Sequence, residues 1–261
     1  MTGDSDSNAG FLTTTYYSLL ATYFSMVRPR YASTVVLVRP AEEDRFEILL
    51  TRRPEAMRFL GGFYVFPGGT VHQADCAESV LQRCRGLSGF EAQRLLGSHH
   101  EAAEALGHWV AVVRELFEEV GVLLCVNEEG APIIPSDTRI GQRIEQARRA
   151  LAQRKLDFGD FVRAENLFCD LSRIVYFDHW VTPAIYSMRF DTRFYIAVLP
   201  EQQRALESSE EVTHSLWIAP EAALARMDWS DFPILPPTTT VLERLARLAT
   251  WNRLATEFRL G

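Results

Sequence analysis

A run of nine residues with a glycine in its last but one position most constrains how this chain can fold. Residues 114–122 read Arg-Glu-Leu-Phe-Glu-Glu-Val-Gly-Val. From just upstream and through the run, apolar residues recur at spacings of three and four, which predicts a helix with one buried face: Val110, Val113, Phe117 and Val120. Gly121 supplies the left-handed stop that ends many helices, and the apolar residues 122–126 predict a strand after it.

Three glutamates, Glu115, Glu118 and Glu119, share another face of this predicted helix. Like charges at these spacings destabilise a helix by roughly 0.2–0.5 kcal/mol per pair. Arg114 can reach Glu118 one turn on, but one cation does not neutralise three carboxylates. A hard divalent cation with oxygen ligands would offset the repulsion. The alternative is a solvated acidic surface, and the run alone leaves both interpretations open.

A glycine pair upstream adds the second half of the pattern. Phe66-Pro67-Gly68-Gly69 follows an aromatic stretch, and paired glycines let a backbone turn sharply and approach a ligand closely. Five residues separate Gly69 from Asp75, and 38 residues separate Asp75 from Arg114. Together the two segments resemble the Nudix box, which reads G, five residues, E, seven residues, R-E-U-x-E-E-x-G-U, where U is a bulky aliphatic residue.

The match to the Nudix box is complete in its second half and departs in its first. Residues 114–122 fit every fixed position, whereas Asp75 stands where the family has glutamate and the spacing to Arg114 is longer. A long insertion at this point is a trait of the peroxisomal-type coenzyme A diphosphatases. The split therefore indicates that branch of the Nudix hydrolases.

Residues 49–69 also resemble the segment that precedes the box in coenzyme A-specific Nudix enzymes. That segment reads L-L-T-x-R, a small residue, three residues, R, three residues, G, three residues, F-P-G-G, and only Pro54 departs from it. Arginine binds phosphate through a planar fork of donors. The alternative for its two arginines is charge that solubilises a loop. The resemblance implies these substrate contacts: Arg53, Arg58, Gly62 and Gly69.

Two later segments complete the resemblance. Residues 180–183 (W-x-T-P) and 189–195 (R-F-D-T-R-F-Y) resemble the same branch, and Arg193 is a candidate phosphate contact, although Asp191 could instead pair with it. In many Nudix enzymes an acidic loop near residues 207–212 supplies a metal ligand or a general base. Glu211 is the candidate here, with Glu210 as the alternative.

The resemblance implies an α/β (α+β) fold, an α/β/α sandwich around a mixed β-sheet with helical insertions. It also implies Mg²⁺ or Mn²⁺ held by glutamates and a backbone carbonyl: Glu115, Glu118, Glu119 and Gly68. Arg114 would orient Glu115, and Glu211 would act as ligand or base. The implied reaction is hydrolysis of a diphosphate bond in coenzyme A or acyl-CoA. The alternatives are another nucleoside diphosphate-linked substrate, such as ADP-ribose or NADH, and a non-catalytic nucleotide-binding module.

The chain divides into an N-terminal tail with an amphipathic helix (residues 1–30) and one Nudix domain (31–261). The domain carries a helical insertion at about 76–108 and a second helical excursion at about 139–168. Within the insertion, residues 77–86 and 90–96 are predicted to be helical, Ser88 and Glu91 have the spacing of a helix cap, and Ser98 is predicted to start the long helix. The basic run 146–154 in the second excursion is interpreted as a solvated helix face.

The net charge and the distribution of apolar and cysteine residues limit which binding partners and which cellular compartment we expect. A net charge of −7 argues against a nucleic-acid-binding surface. Residues 11–27 are uncharged but too polar for a confident membrane span, so we expect no stable membrane insertion. We expect this amphipathic segment to dock on the domain or on a second copy, which favours a homodimer. The four cysteines lack metal-binding spacing, which predicts reduced thiols in a cytoplasmic protein.

Overall fold

The structure is a computed structural model that describes residues 27–57, 60–134, 139–227 and 231–260. The predicted N-terminal helix lies outside these residues except for Val27, and the candidate phosphate contact Arg58 lies outside them as well.

The residues that the structure describes form ten strands, the longest of them from runs of β-branched and aromatic residues. Seven of them make a mixed sheet whose central strands follow the order β10-β2-β1-β9-β8, with β3 paired to β2 and β4 paired to β1. β1 and β9 are parallel, and the other pairs in this sheet are antiparallel. The remaining three form a small sheet of order β5-β7-β6. The strands are β1 (Arg30–Pro40), β2 (Phe46–Arg52), β3 (Tyr64–Val65), β4 (Gly68–Thr70), β5 (Cys84–Arg85), β6 (Cys125–Val126), β7 (Phe168–Asp170), β8 (Ile174–Val181), β9 (Phe190–Val198) and β10 (His214–Ile218).

Eight α-helices flank the sheets in the described part of the chain. They are α1 (Glu78–Leu81), α2 (Gly89–Leu96), α3 (Ala102–Val120), α4 (Arg139–Ala152), α5 (Phe158–Ala164), α6 (Pro220–Ala225), α7 (Pro236–Ala246) and α8 (Trp251–Phe258). Two single 3-10 turns accompany them, at Gln73–Cys76 and Leu171–Arg173. None of these described helices is long and apolar enough to cross a bilayer.

Alternate residues of β1 point into two separate cores. Val35 and Leu37 pack with helix α3 on one face of the sheet, whereas Val36 and Val38 pack with α7 and α8 on the other. Successive side chains of a strand point to opposite faces, so one apolar strand can serve both cores. The result is the predicted α/β/α sandwich, with α3 fully embedded against the sheet.

The insertion differs from its sequence-based prediction in two places. The helix predicted over residues 77–86 covers only Glu78–Leu81, because Cys84 and Arg85 leave it to pair with β7. The long helix begins after Glu101 rather than at Ser98. The predicted cap at Ser88 is correct, since its Oγ accepts a hydrogen bond from the Glu91 N–H.

Helix α3 runs unbroken through Gly107. A side chain at this position would overlap the sulfur of Cys76, so the glycine lets the 3-10 turn at Gln73–Cys76 lie directly on the helix. This contact brings the beginning of the insertion back to the helix that carries the glutamates.

Three cysteines that are far apart in the sequence are neighbours in the small sheet. The strand predicted over 122–126 is shortened to Cys125–Val126, and its Cys125 lies opposite Cys169, which in turn pairs with Cys84. All three are free thiols. Contact with Cys169 and burial both raise the pKa of the Cys84 thiol, which keeps it protonated.

Candidate active site

The glycine loop meets helix α3 at its glutamates. Strand β4 pairs with β1 so that Gly68 lies beside Thr34, and the Gly68 N–H donates a hydrogen bond to Glu119 Oε2 at 3.1 Å. A side chain at Gly69 would overlap the Glu115 carboxylate. Gly68 has φ +152°, and a side chain there would overlap the backbone of β1. Both glycines are therefore needed for the loop to lie against the helix.

Arg114 connects the two halves of the motif. Its Nε and Nη2 donate to the two oxygens of Asp75 at 2.8 and 3.0 Å, and Nη2 also donates to the Thr70 carbonyl at 3.0 Å. Its Nη1 donates to Glu115 at 2.7 Å and lies 3.4 Å from Glu118. Asp75 is 2% exposed and accepts the His72 N–H at 2.8 Å. The aspartate that departs from the family motif is thus the residue that anchors Arg114.

The glutamate cluster holds more negative charge than the neighbouring cations balance. Burial raises the pKa of Glu118 to about 7, with Glu115 and Glu211 adding repulsion and Arg114 opposing it. Burial also raises the pKa of Glu115, which Arg114 lowers in part. The pKa of Glu119 is raised well above its usual range by burial and by Glu115, against the attraction of Arg53.

These carboxylates suit a hard cation. Glu119 is 5% exposed, and its carboxylate contacts the Gly68 N–H but no cationic side chain among the described residues. An oxygen-rich, buried and electron-rich cluster is the environment in which Mg²⁺ or Mn²⁺ binds. The side chains are not preassembled, since no three His, Cys, Asp or Glu side chains of the described ranges already converge as a metal site.

A cavity of about 1020 Å³ opens beside the cluster. Arg53 and Glu211 line it together with Gly68, Gly69 and the three glutamates, and the buried Nε of Arg53 has no hydrogen-bond partner in the described part of the chain. Glu210 does not line the cavity and instead lies 3.3 Å from Arg148. The geometry therefore separates the two candidate acids of this loop and places Glu211 toward the cluster.

The cavity is larger and more varied than a diphosphate alone would require. Apolar side chains from β8, β9 and the loop between them form one part of its wall: Trp180, Tyr186, Met188, Phe190 and Phe194. Arg154 and Lys155, which follow helix α4, contribute positive charge to another part. Such a cavity can hold an extended ligand that carries both anionic and apolar groups.

The structure places Arg193, the predicted phosphate contact, away from the cavity. Its strand neighbours Thr192 and Phe194 line the cavity, so Arg193 points to the opposite face of the sheet, where it is 3% exposed. Its Nε lies 3.2 Å from Asp191 Oδ1, which is the alternative that the sequence left open. Gly62 also does not line the cavity. It has φ +80°, and its carbonyl accepts a hydrogen bond from Arg52 at 3.1 Å.

Arg148 is a residue of the site region that sequence reasoning missed. Although it belongs to the basic run interpreted as solvated, it is 3% exposed and donates to the Glu118 carbonyl at 2.9 Å. It also pairs with Glu145. The sequence pattern could have indicated this burial, because Arg148 shares one helix face with Ile144 and Leu151, at spacings of four and three. Both of these apolar residues are buried.

A buried polar cluster lies behind the site on the same face of the sheet as Arg193. His108 is fully buried and hydrogen-bonded with Ser33 at 3.0 Å. His100 lies 2.9 Å from Glu104 and 3.3 Å from Arg193. Burial, followed by repulsion from His100 and Arg193, lowers the pKa of His108 to about 3.

His108 is expected to make the fold acid-sensitive. Because its pKa falls from 6.5 in the unfolded chain to about 3 in the fold, the stability that its neutral form provides is lost as pH drops below 6.5. At pH 5 this loss is about 2 kcal/mol relative to pH 7.5. Urea unfolding at both pH values should show that His108→Gln loses less free energy of unfolding between pH 7.5 and pH 5 than the unmodified protein. The other titrating groups are present in both proteins and contribute equally to the loss. Equal losses would contradict the assignment.

The chain is similar to known proteins in sequence and in fold. The chain matches the family model described as NUDT19 Nudix domain over residues 29–245. It is similar to proteins named acyl-coenzyme A diphosphatase NUDT19 from Xenopus laevis (24% identity over 238 residues, 80% of this chain and 62% of the relative) and from Homo sapiens (26% over 251 residues, 85% of this chain and 66% of the relative). The chain thus spans about two thirds or less of the length of these relatives.

Among solved structures, the fold is similar to a Nudix hydrolase from Alicyclobacillus acidocaldarius, with a TM-score of 0.70 and 24% identity over 90% of this chain and 99% of that chain. Since the family model covers residues 29–245 of 261, the chain belongs to the NUDT19 Nudix domain family of the Nudix hydrolases.

Proposed function

We propose that this protein hydrolyses the diphosphate bond of coenzyme A or acyl-CoA with the help of a divalent cation. Water adds to one phosphorus atom and the bond from that phosphorus to the bridging oxygen breaks. The products are two phosphomonoesters, 3′,5′-ADP and 4′-phosphopantetheine or its acyl form. The similarity to proteins named acyl-coenzyme A diphosphatase supports this substrate class.

One observation carries the proposal. Two buried glutamates, the half-buried Glu118, a glycine loop and the unpartnered donor of Arg53 border the same cavity. The long insertion separates Arg53 and the glycine loop from these glutamates in the sequence. Acidic groups in this concentration are unfavourable unless a cation joins them. A diphosphate brings further negative charge, which both the cation and Arg53 can balance.

The residues take distinct roles in this proposal. Glu115, Glu118 and Glu119 would hold Mg²⁺ or Mn²⁺ together with the Gly68 carbonyl. When bound, the ion neutralises phosphate oxygens and acidifies a water molecule. Arg114 keeps Glu115 in position through their 2.7 Å contact, and Arg53 donates to an oxygen of the diphosphate.

Glu211 would accept a proton from the attacking water or serve as a further ligand.

The apolar wall suits the non-nucleotide end of the substrate. Trp180, Tyr186 and Met188 border the same cavity as the glutamates, and Tyr186 and Met188 are exposed. The pantetheine arm and an acyl chain are the largely uncharged part of acyl-CoA, and their contact with these side chains would remove apolar surface from water.

Mass spectrometry of the products tests the proposal. The purified protein is incubated with Mg²⁺ and a panel containing coenzyme A, acyl-CoA, ADP-ribose and NADH, and the reaction is repeated in H₂¹⁸O to identify the phosphorus that water attacks. We expect 3′,5′-ADP from coenzyme A and acyl-CoA at higher kcat/KM than turnover of the other substrates. Preferential cleavage of ADP-ribose or NADH would favour that alternative, and no cleavage of any diphosphate would favour the non-catalytic one.

Glu211→Gln and Glu210→Gln form a matched pair that tests the assignment of the acidic loop. Glu211 borders the cavity, so its replacement should lower kcat by roughly 100-fold or more, as expected for loss of a general base or ligand. Glu210 is exposed and pairs only with Arg148 in the described residues, a contact that contributes at most about 1 kcal/mol to folding. Steady-state kinetics in which both variants lose the same activity would overturn the distinction.

A further inference from the structure

The end of helix α4 carries cations with no assigned role. Arg154 adopts φ +56°, its N–H donates to the Leu151 carbonyl at 2.7 Å, and the Lys155 N–H donates to the Ala150 carbonyl at 2.8 Å. These backbone bonds close the helix in a left-handed stop. The turn brings Arg154 and Lys155 to the wall of the cavity.

Arg154 differs from three arginines of the preceding helix α4. Arg143, Arg148 and Arg149 each form an ion pair with a carboxylate. Within the described ranges, neither Arg154 nor Lys155 has such a partner, and Lys155 donates only to the neutral Gln153 side chain at 2.8 Å. An unpaired arginine in a protein of net charge −7, facing a cavity that contains an acidic cluster, is available for an anionic ligand.

The position of Arg154 relates it to the diphosphate site. Arg154 lines the same cavity as His72 and Arg114, and both arginines lower the pKa of His72, after the larger effect of burial. Asp157, the acidic residue next to this turn that also lines the cavity, is engaged as the cap of helix α5, accepting the Gly159 N–H at 2.8 Å. Arg154 therefore borders the same cavity as the glutamate cluster and forms no ion pair with it within the described residues.

We propose that Arg154, with Lys155 beside it, binds a phosphate group on the ribose next to the scissile diphosphate, which in coenzyme A is the 3′-phosphate. This inference rests on the proposed function and adds a specificity site to it. A phosphomonoester dianion near the glutamates would be repelled unless it had a cation of its own. Arginine matches its oxygens with two parallel donors.

The test compares coenzyme A with 3′-dephospho-coenzyme A at constant ionic strength. The unmodified protein should show a higher kcat/KM for coenzyme A. Arg154→Gln should lower kcat/KM for coenzyme A by roughly 10- to 100-fold, the loss expected for a hydrogen bond between charged groups, and leave the dephospho substrate nearly unchanged. Arg154→Lys should retain part of the preference. Arg149→Gln is the control, since it removes one positive charge from the preceding helix α4, outside the cavity.

A binding measurement keeps the inference testable apart from catalysis. Isothermal titration should show that the unmodified protein binds 3′,5′-ADP more tightly than 5′-AMP, and that Arg154→Gln removes this difference. Equal losses for both substrates would place Arg154 on the diphosphate instead and overturn the inference, as would equal binding of the two nucleotides by the unmodified protein. Failure to hydrolyse either substrate would refute the proposed function, and the nucleotide titration would then decide the role of Arg154 alone.

Discussion

Replacing Glu119 by glutamine is expected to remove at least about 99% of diphosphate hydrolysis while leaving the fold intact. Replacing a residue that only supports a metal ligand typically lowers metal affinity or activity by about 10- to 100-fold. Replacing the ligand itself should lower activity further. Glutamine keeps the shape of the side chain and can still accept the hydrogen bond from the Gly68 N–H. The change therefore isolates the negative charge.

Stability measurements separate this effect from misfolding. Burial and the neighbouring Glu115 raise the pKa of Glu119, so its charged form destabilises the metal-free fold at any pH above its unfolded value of 4.5. We therefore expect Glu119→Gln without metal to be at least as stable at pH 8 as the unmodified protein. Adding Mg²⁺ should raise the Tm of the unmodified protein, because a ligand that binds the folded state stabilises it, and should raise that of the variant much less.

Glu101→Gln provides the control, since Glu101 is an exposed acid at the opposite end of helix α3. It should keep both the activity and the Mg²⁺-dependent rise in Tm. Full turnover by Glu119→Gln, or an unchanged response of its Tm to Mg²⁺, would show that this carboxylate does not hold the catalytic ion. Loss of activity with a large fall in metal-free stability would indicate a structural role instead.

Local sequence patterns predicted the elements that carry the glutamates. The spacing of Val110, Val113 and Phe117 predicts the buried face of α3, and Gly121 ends the helix in the left-handed conformation as expected. The pair Gly68-Gly69 predicts close approach of a backbone, and the structure brings it against Glu119 and Glu115. These features depend on contacts within one helix or one loop, which is why they can be read from the sequence.

The failures concern which face a residue points to and what lies opposite it. Arg193 was assigned to phosphate from its motif, but its position in β9 turns it away from the cavity that Thr192 lines. Arg154 was interpreted as part of a solvated face and is exposed, but the turn after α4 also brings it to the cavity wall, which the charge pattern did not indicate. In a strand, the face to which a side chain points depends on the register in which the strand pairs, and after a helix it depends on how the helix ends. Both are decided by contacts with residues far along the chain.

The cysteines illustrate the same limit. Cys84, Cys125 and Cys169 have no recognisable spacing, yet the small sheet places them on adjacent strands. Their proximity depends on strand β5, which forms where the sequence pattern favours a helix. Strand propensity is decided largely by the partners that a segment finds, so tertiary pairing overrides the local preference here.

Removing Arg114 is expected to cause the largest loss of stability. Arg114→Gln leaves Asp75 and Glu115 buried, at 2% and 7% exposure, without their cation. Breaking a buried ion pair by removing one partner typically costs about 3–5 kcal/mol, and a domain of this size would lose roughly 10 °C in Tm. Thermal and urea unfolding should be measured with EDTA, so that metal binding does not contribute.

A double-mutant cycle with Asp75→Asn identifies the partner that matters. Asp75→Asn alone should cost about 1–3 kcal/mol, because Arg114 keeps its contacts with Glu115 and the Thr70 carbonyl. If the two residues form one unit, the double variant should be more stable than the sum of the single losses by at least about 1 kcal/mol. Additive losses would show that Asp75 does not replace the missing glutamate of the motif. A large coupling energy would mean that this pair holds the glycine loop against helix α3, although 38 residues separate Asp75 from Arg114 in the sequence. The contact is direct, because the two Asp75 oxygens accept hydrogen bonds from Arg114 at 2.8 and 3.0 Å.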